Sequence, residues 1–250
     1  MGKVCYLIDP EEMLQAAQRG DVAKVRQLLA SDTTLVSAKG AHDKTPLHWA
    51  AEKNFPELAE LLLSAGADIN AEVSWGMTPL QWAANMGSRD VAEVLVAHGA
   101  TPQLNMWAAA GLGMLDVVQS FWGSPNTLNP GAGQTRMRDL GDGKWDKAPP
   151  KTYLELISEA LHIAVRNGHI PVAKFLLERG ADINCRGFFG APGLLWAAIN
   201  GHKPMVEFLI EHGADLTLRD EQFHSTAIGW ALEGKQTEIA ELLKAHGVGS

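Results

Sequence analysis

Thr45-Pro46-Leu47-His48-Trp49-Ala50-Ala51 returns 33 residues later as Thr78-Pro79-Leu80-Gln81-Trp82-Ala83-Ala84. Weaker copies are Gly193-Leu194-Leu195-Trp196-Ala197-Ala198 and Thr226-Ala227-Ile228-Gly229-Trp230-Ala231. Thr45 is placed to cap a helix and Pro46 to occupy its first turn. A second segment also recurs. Glu60-Leu61-Leu62-Leu63-Ser64-Ala65-Gly66-Ala67-Asp68-Ile69-Asn70 is echoed by Phe175-Leu176-Leu177-Glu178-Arg179-Gly180-Ala181-Asp182-Ile183-Asn184 and by Phe208-Leu209-Ile210-Glu211-His212-Gly213-Ala214-Asp215-Leu216. Self-similarity at a fixed period is the signature of a stacked array rather than of a single globular core.

A 33-residue period carrying Thr-Pro-Leu-His-x-Ala resembles the ankyrin repeat. The resemblance covers roughly residues 11–248. It implies an all-α solenoid of about seven helix–turn–helix repeats joined by short β-hairpin fingers. Residues 9–38 read as an N-terminal cap, with Asp9 capping a helix that starts at Pro10. Repeats follow at 39–71, 72–100 and 101–124, then an insertion at 125–150, repeats at 151–184 and 185–217, and a C-terminal cap at 218–248. The repeat at 101–124 is abnormal. Gly66 precedes Trp82 by 16 residues, but Gly99 precedes Trp107 by only 8, so a finger is expected to be missing. Its second helix is expected from Leu115 to Trp122. Phe121 to Leu161 spans 40 residues where Leu63 to Leu80 spans 17, so about 23 residues are extra. A long loop inside a compact array is either functional or disordered.

Composition narrows the function classes. A formal charge of −8 argues against a nucleic-acid partner, because backbone phosphates need clustered Lys and Arg. No apolar run is long enough to span a membrane, and Met1 to Tyr6 carries no long apolar signal region. Cys5 and Cys185 show no metal-ligand spacing and suit reduced thiols in a cytoplasmic monomer. No metal or cofactor motif is present, so none is expected. Seven of nine histidines fall at places the repeat explains, leaving His42 and His224. Neither has a nucleophile and an acid in view, so an enzymatic role is not favoured.

Aromatic residues carry the binding expectation. Trp49, Trp82, Trp107, Trp196 and Trp230 share one register of the first helix and are expected to pack between repeats. Three residues before the capping position stand His42, Trp75, Phe189 and Phe223, one ring at each surviving fingertip. Phe188, His224 and the acid Asp43 lie beside them. In the family, fingers and first helices line the concave surface. The resemblance therefore implies a scaffold that grips a protein partner there, with ring anchors amid polar groups. The alternative is a small-molecule or enzymatic pocket at mid-chain, closed by the insertion. Its walls would be Trp75, Trp107, Trp145, Tyr153, Phe188 and Phe189, with His42, Asp43, Glu159, Arg166 or His224 as polar groups.

Overall fold

The computed structural model describes residues 9–100, 105–124, 127–129, 136–139, 145–148 and 152–247. It divides into two compact units, Met1–Pro102 with Met137–Asp146, and Gln103–Arg136 with Lys147–Ser250.

In the first unit, α1 (Pro10–Arg19) and α2 (Val22–Ser31) form the opening pair. Asp9 accepts from the Glu11 N–H at 3.0 Å, and Gly20 ends α1 in the left-handed region. The next pairs are α3 (Pro46–Lys53) with α4 (Pro56–Ser64), and α5 (Pro79–Met86) with α6 (Arg89–Ala97). First helices stack on first helices, α1 on α3 and α3 on α5, and second helices stack likewise. Leu47, Ala50, Ala51, Leu58, Ala59 and Leu62 are buried between them. Small alanines on the first helices let successive repeats approach closely.

Two capping boxes show what the repeated motif does. Thr45 and His48 exchange bonds at the start of α3, as Thr78 and Gln81 do at the start of α5. Gln81 accepts from the Thr78 N–H at 3.0 Å and so replaces histidine within its own turn. His48 does more. Its Nε2–H donates to the Met77 carbonyl at 3.1 Å, which ties one repeat to the next. Its Nδ1 then accepts from Thr45, so the ring must stay neutral. Burial, outweighing the favourable bond to Met77, lowers the His48 pKa to about 4.

In the second unit, α7 (Met106–Gly111) packs on α9 (Tyr153–Arg166), and α8 (Leu115–Ser120) follows α7. Here the structure corrects the expected helix boundary. Trp122 does not continue α8 but opens β1 (Trp122–Ser124), which pairs antiparallel with β2 (Thr127–Leu128). Gly123 stands at a tight point, since an added Cβ would lie 2.5 Å from Asn129 Oδ1. Trp122 and Phe121 still pack against the core, half-buried. Trp122 meets Phe175 edge-on at 5.2 Å, and its Nε1 donates to the Tyr153 hydroxyl at 3.2 Å. Within the inserted stretch, β3 (Arg136–Asp139) and β4 (Trp145–Ala148) form a second two-stranded sheet. The segment read as a loop thus contains paired strands.

The remaining pairs are regular: α9 with α10 (Ile170–Leu177), α11 (Gly193–Ile199) with α12 (Lys203–Glu211), and α13 (Ala227–Glu233) with α14 (Thr237–Ala245). α9 is long because Thr152 and Glu155 supply another capping box well ahead of the repeat register. His162 occupies the place of His48, and its Nε2–H donates to the Ala191 carbonyl at 3.2 Å. The histidines before the repeat-ending glycines, His98, His212 and His246, each donate Nδ1–H to the carbonyl four residues back. These bonds occupy helix-end acceptors.

The fingers are turns rather than extended ribbons. Each is closed by a backbone bond: Gly40 to Lys44, Val73 to Met77, Gly187 to Ala191 and Asp220 to Ser225. Neighbouring tips are also linked. The Ser74 N–H donates to the His42 carbonyl, and the Glu221 N–H to the Phe189 carbonyl, both at 3.0 Å. His42, Asp43, Phe189 and His224 all hold left-handed backbone, with φ between 53° and 60°.

Candidate functional site

Each unit carries a row of rings where its fingers meet its first helices. In the first unit, the His42 ring lies 5.1 Å from Trp75, and Trp75 lies 5.8 Å from Trp82. Lys44 places its ammonium 3.3 Å from the Trp49 ring centroid and 4.8 Å from that of Trp82. A cation over an indole face is attracted by the ring's quadrupole. Glu52 closes the arrangement. It pairs with Lys44 and accepts from Trp82 Nε1 at 3.2 Å. Lys53 reaches its other oxygen at 3.1 Å. Burial lowers the Lys44 pKa despite the Glu52 partner. Burial also works to raise the pKa of Glu52, but its lysine partners outweigh that and lower it. Beside it runs a groove of about 350 Å3 lined by Trp49, Trp75, Trp82, His42 and Lys44 from the fingers and helices, with Gln15 and Glu11 from α1.

In the second unit, Phe189 stacks on Trp196 with centroids 5.9 Å apart and planes 22° apart. Phe189 also meets Phe223 at 6.0 Å, and Trp196 meets Trp230 edge-on at 4.9 Å. Phe189 is 50% exposed and Phe223 is 61% exposed. Arg166, the last residue of α9, lies with its guanidinium carbon 4.4 Å from the Trp196 centroid. Burial lowers its pKa to about 10, which leaves it charged at neutral pH. Asp220, 1% exposed, organises the last finger. It accepts from Trp230 Nε1 at 3.0 Å, from the N–H of Gln222 at 3.0 Å and of Ser225 at 2.9 Å, and from that of Phe223. Burial alone would raise its pKa, but these donors lower it. The turn so fixed turns Phe223 and His224 outward, both exposed.

The matching family model covers residues 13–106 and 161–249 and describes ankyrin repeats. The chain belongs to the ankyrin-repeat family. Ankyrin repeats are in general protein–protein interaction modules. No curated protein matched the chain. The ankyrin match leaves 107–160 unmatched, the stretch that holds α8 and the four short strands seen among the described residues. No helix among the described residues is long and apolar enough to cross a membrane. Among the same residues no group of three or more His, Cys, Asp or Glu is placed to hold a metal.

The ankyrin ladders gather some of the expected residues and not others. His42, Asp43 and Trp75 lie together in the first unit, where Asp43 accepts from the Ser74 hydroxyl at 2.9 Å. Arg166, Phe189 and Phe223 gather around Trp196 in the second. His224 stands beside Phe223, its carbonyl held by Arg219 at 2.8 Å. Tyr153 is elsewhere, against Trp122. Trp107 is half-buried on α7 against the core, and Glu159 is half-buried on α9. Phe188 lies in the finger turn and Trp145 on β4, but their side chains fall outside the described residues. Trp107 stands one position early: the Met114 N–H closes α7 on the Ala109 carbonyl as Ser88 closes α5 on Ala83, so Ala108 and not Trp107 matches Trp82. The tryptophans are also less buried than expected. Only Trp230 is buried, at 7% exposure, while Trp49, Trp82, Trp107 and Trp196 are half-buried.

Sequence reasoning missed Lys44 and Asp220. Asp220 heads Asp-Glu-Gln-Phe-His-Ser, and an aspartate that starts a polar turn signals side-chain capping of the following N–H groups. Nothing local marked Lys44, because its role depends on Trp82 in the next repeat.

Proposed function

We propose that this ankyrin array binds a protein partner through the finger and first-helix surface, with the ring ladder of the second unit as its principal anchor. One observation carries the reading. Phe189 and Phe223 are half or more exposed, yet they stack on an ordered row that ends in buried Trp230. Exposed rings on a rigid base are suited to be binding hot spots, because little side-chain entropy is lost when a partner covers them. The acidic chain favours a neutral or basic partner overall, while the local groups decide what meets the ladder.

The test is Phe189→Ala combined with Phe223→Ala. The pair should cost less than about 1 kcal/mol of stability, as surface substitutions do. It should nevertheless abolish retention of the partner recovered from source lysate and identified by mass spectrometry. Unchanged retention would exclude the ladder as the anchor. A large loss of stability would make the rings structural.

A further inference from the structure

The groove of the first unit has two unlike walls. One is built of rings, with the indoles of Trp49 and Trp82 half-buried in it. The other is the outward face of α1. There Glu11, Gln15 and Gln18 follow one another at helical spacing, all three exposed. An occupant has to be apolar on one side and hydrogen-bonding on the other. The volume of about 350 Å3 holds a few residues of extended chain.

The groove also keeps unspent donors. Trp82 Nε1 donates to Glu52, but Trp49 Nε1 has no hydrogen bond among the described residues and is not buried. The Gln18 amide has none among them either, and Gln15 gives one proton to Glu11 at 3.3 Å. A proline-rich segment answers both walls. Its pyrrolidine rings lie against indoles, proline brings no N–H of its own, and the carbonyls of a polyproline helix are all free to accept. Such a helix is formed before it binds, so docking costs it little entropy.

Charge selects what flanks the prolines. Lys44 is answered inside the groove by Glu52. Glu11 has no ion-pair partner among the described residues, whereas Glu12 beside it holds Lys24 at 2.7 Å. Residues 9–100 carry thirteen Asp and Glu against seven Lys and Arg. An unpaired carboxylate in that setting favours a basic neighbour.

We infer that the groove between α1 and the first two fingers receives a proline-rich segment of a partner, with a Lys or Arg of that segment at Glu11. The inference goes beyond the ladder of the second unit and does not depend on it.

The experiment probes an array of Pro-x-x-Pro peptides, each ended by Arg, Gln or Glu, beside the same peptides with every proline changed to alanine. The probes are the full chain and its Phe189→Ala, Phe223→Ala variant. Both should retain the proline peptides that end in Arg and release the alanine ones. In a fluorescence titration of the best peptide, Gln15→Ala with Gln18→Ala should weaken binding about tenfold. Both glutamines are exposed and alanine is the better helix former, so that variant keeps its fold. Glu11→Gln should weaken Arg-ended peptides about threefold and leave Gln-ended ones unchanged. Equal retention of the alanine peptides, or proline binders indifferent to the paired glutamine change, would overturn the groove assignment. An Arg preference that survives Glu11→Gln would overturn the role of Glu11. Binding lost with Phe189 and Phe223 would move the proline site to the second unit's ladder and overturn the inference while supporting that ladder.

Discussion

The two ladders treat the same indole N–H differently: the first gives it an acceptor, and the second leaves it without one among the described residues. In the first, Lys44, Glu52 and Trp82 satisfy one another, so the cation and the indole N–H both have partners within the fold. In the second, a cation replaces the carboxylate at the same register, and the indole N–H is left over. Repeat architecture fixes where a side chain stands; the residue chosen there decides what the neighbouring tryptophan can bond to.

That comparison can be broken by substitution. The largest effect should come from Trp230→Ala. It removes the buried end of the second ladder and the donor to Asp220, and should cost about 3–5 kcal/mol in urea unfolding. A cost below about 1 kcal/mol would mean the ladder does not rest on the core.

Acid should act next, through His48. Its pKa is about 4 in the folded chain and 6.5 unperturbed. Above 6.5 both folded and unfolded states hold the ring neutral, and its contribution is complete. As pH falls below 6.5 the unfolded state takes the proton first, so stability drops, by up to about 3 kcal/mol towards pH 4. His48→Gln, which copies Gln81, should lose about 1 kcal/mol at pH 7 with the Met77 bond. It should then show a flatter loss of helical circular dichroism between pH 6.5 and 4. An equally steep acid transition in that variant would place the sensitivity elsewhere.

The smallest effects bear most directly on the two ladders. Glu52→Gln strands Lys44, whose side chain is only 12% exposed, and should cost about 1–2 kcal/mol. Arg166→Gln offers Trp196 an acceptor and should cost less than about 1 kcal/mol. Equal costs in thermal unfolding would erase the distinction between the two ladders.

The array was legible because its signals are local and repeated. Thr45-Pro46 and Thr78-Pro79 cap helices by contacts within one turn, and the 33-residue period places the helix pairs on either side of 101–150. The end of α8 was not legible. Trp122 has the apolar character of a helix face, and only its pairing with Leu128 and its contacts with Phe175 and Tyr153 turn it into a strand. The fingertip rings at His42, Trp75, Phe189 and Phe223 could be found by register alone. What could not be found was how each ladder is finished, because Glu52 and Arg166 look alike as polar residues in the last turn of a first helix. Their difference appears only once a tryptophan from the following repeat lies beside them.

The left-handed fingertips carry a practical consequence. His42, Phe189 and His224 occupy backbone that glycine adopts more easily than any residue with a side chain, and Gly76 already does so beside Trp75. Glycine at 42, 189 or 224 would relieve backbone strain while deleting the side chains proposed above to meet a partner. A directed-evolution campaign scored on heat resistance alone would therefore drift towards smooth, inert fingertips. A campaign for this scaffold has to score recognition and melting together, because at these positions they pull in opposite directions.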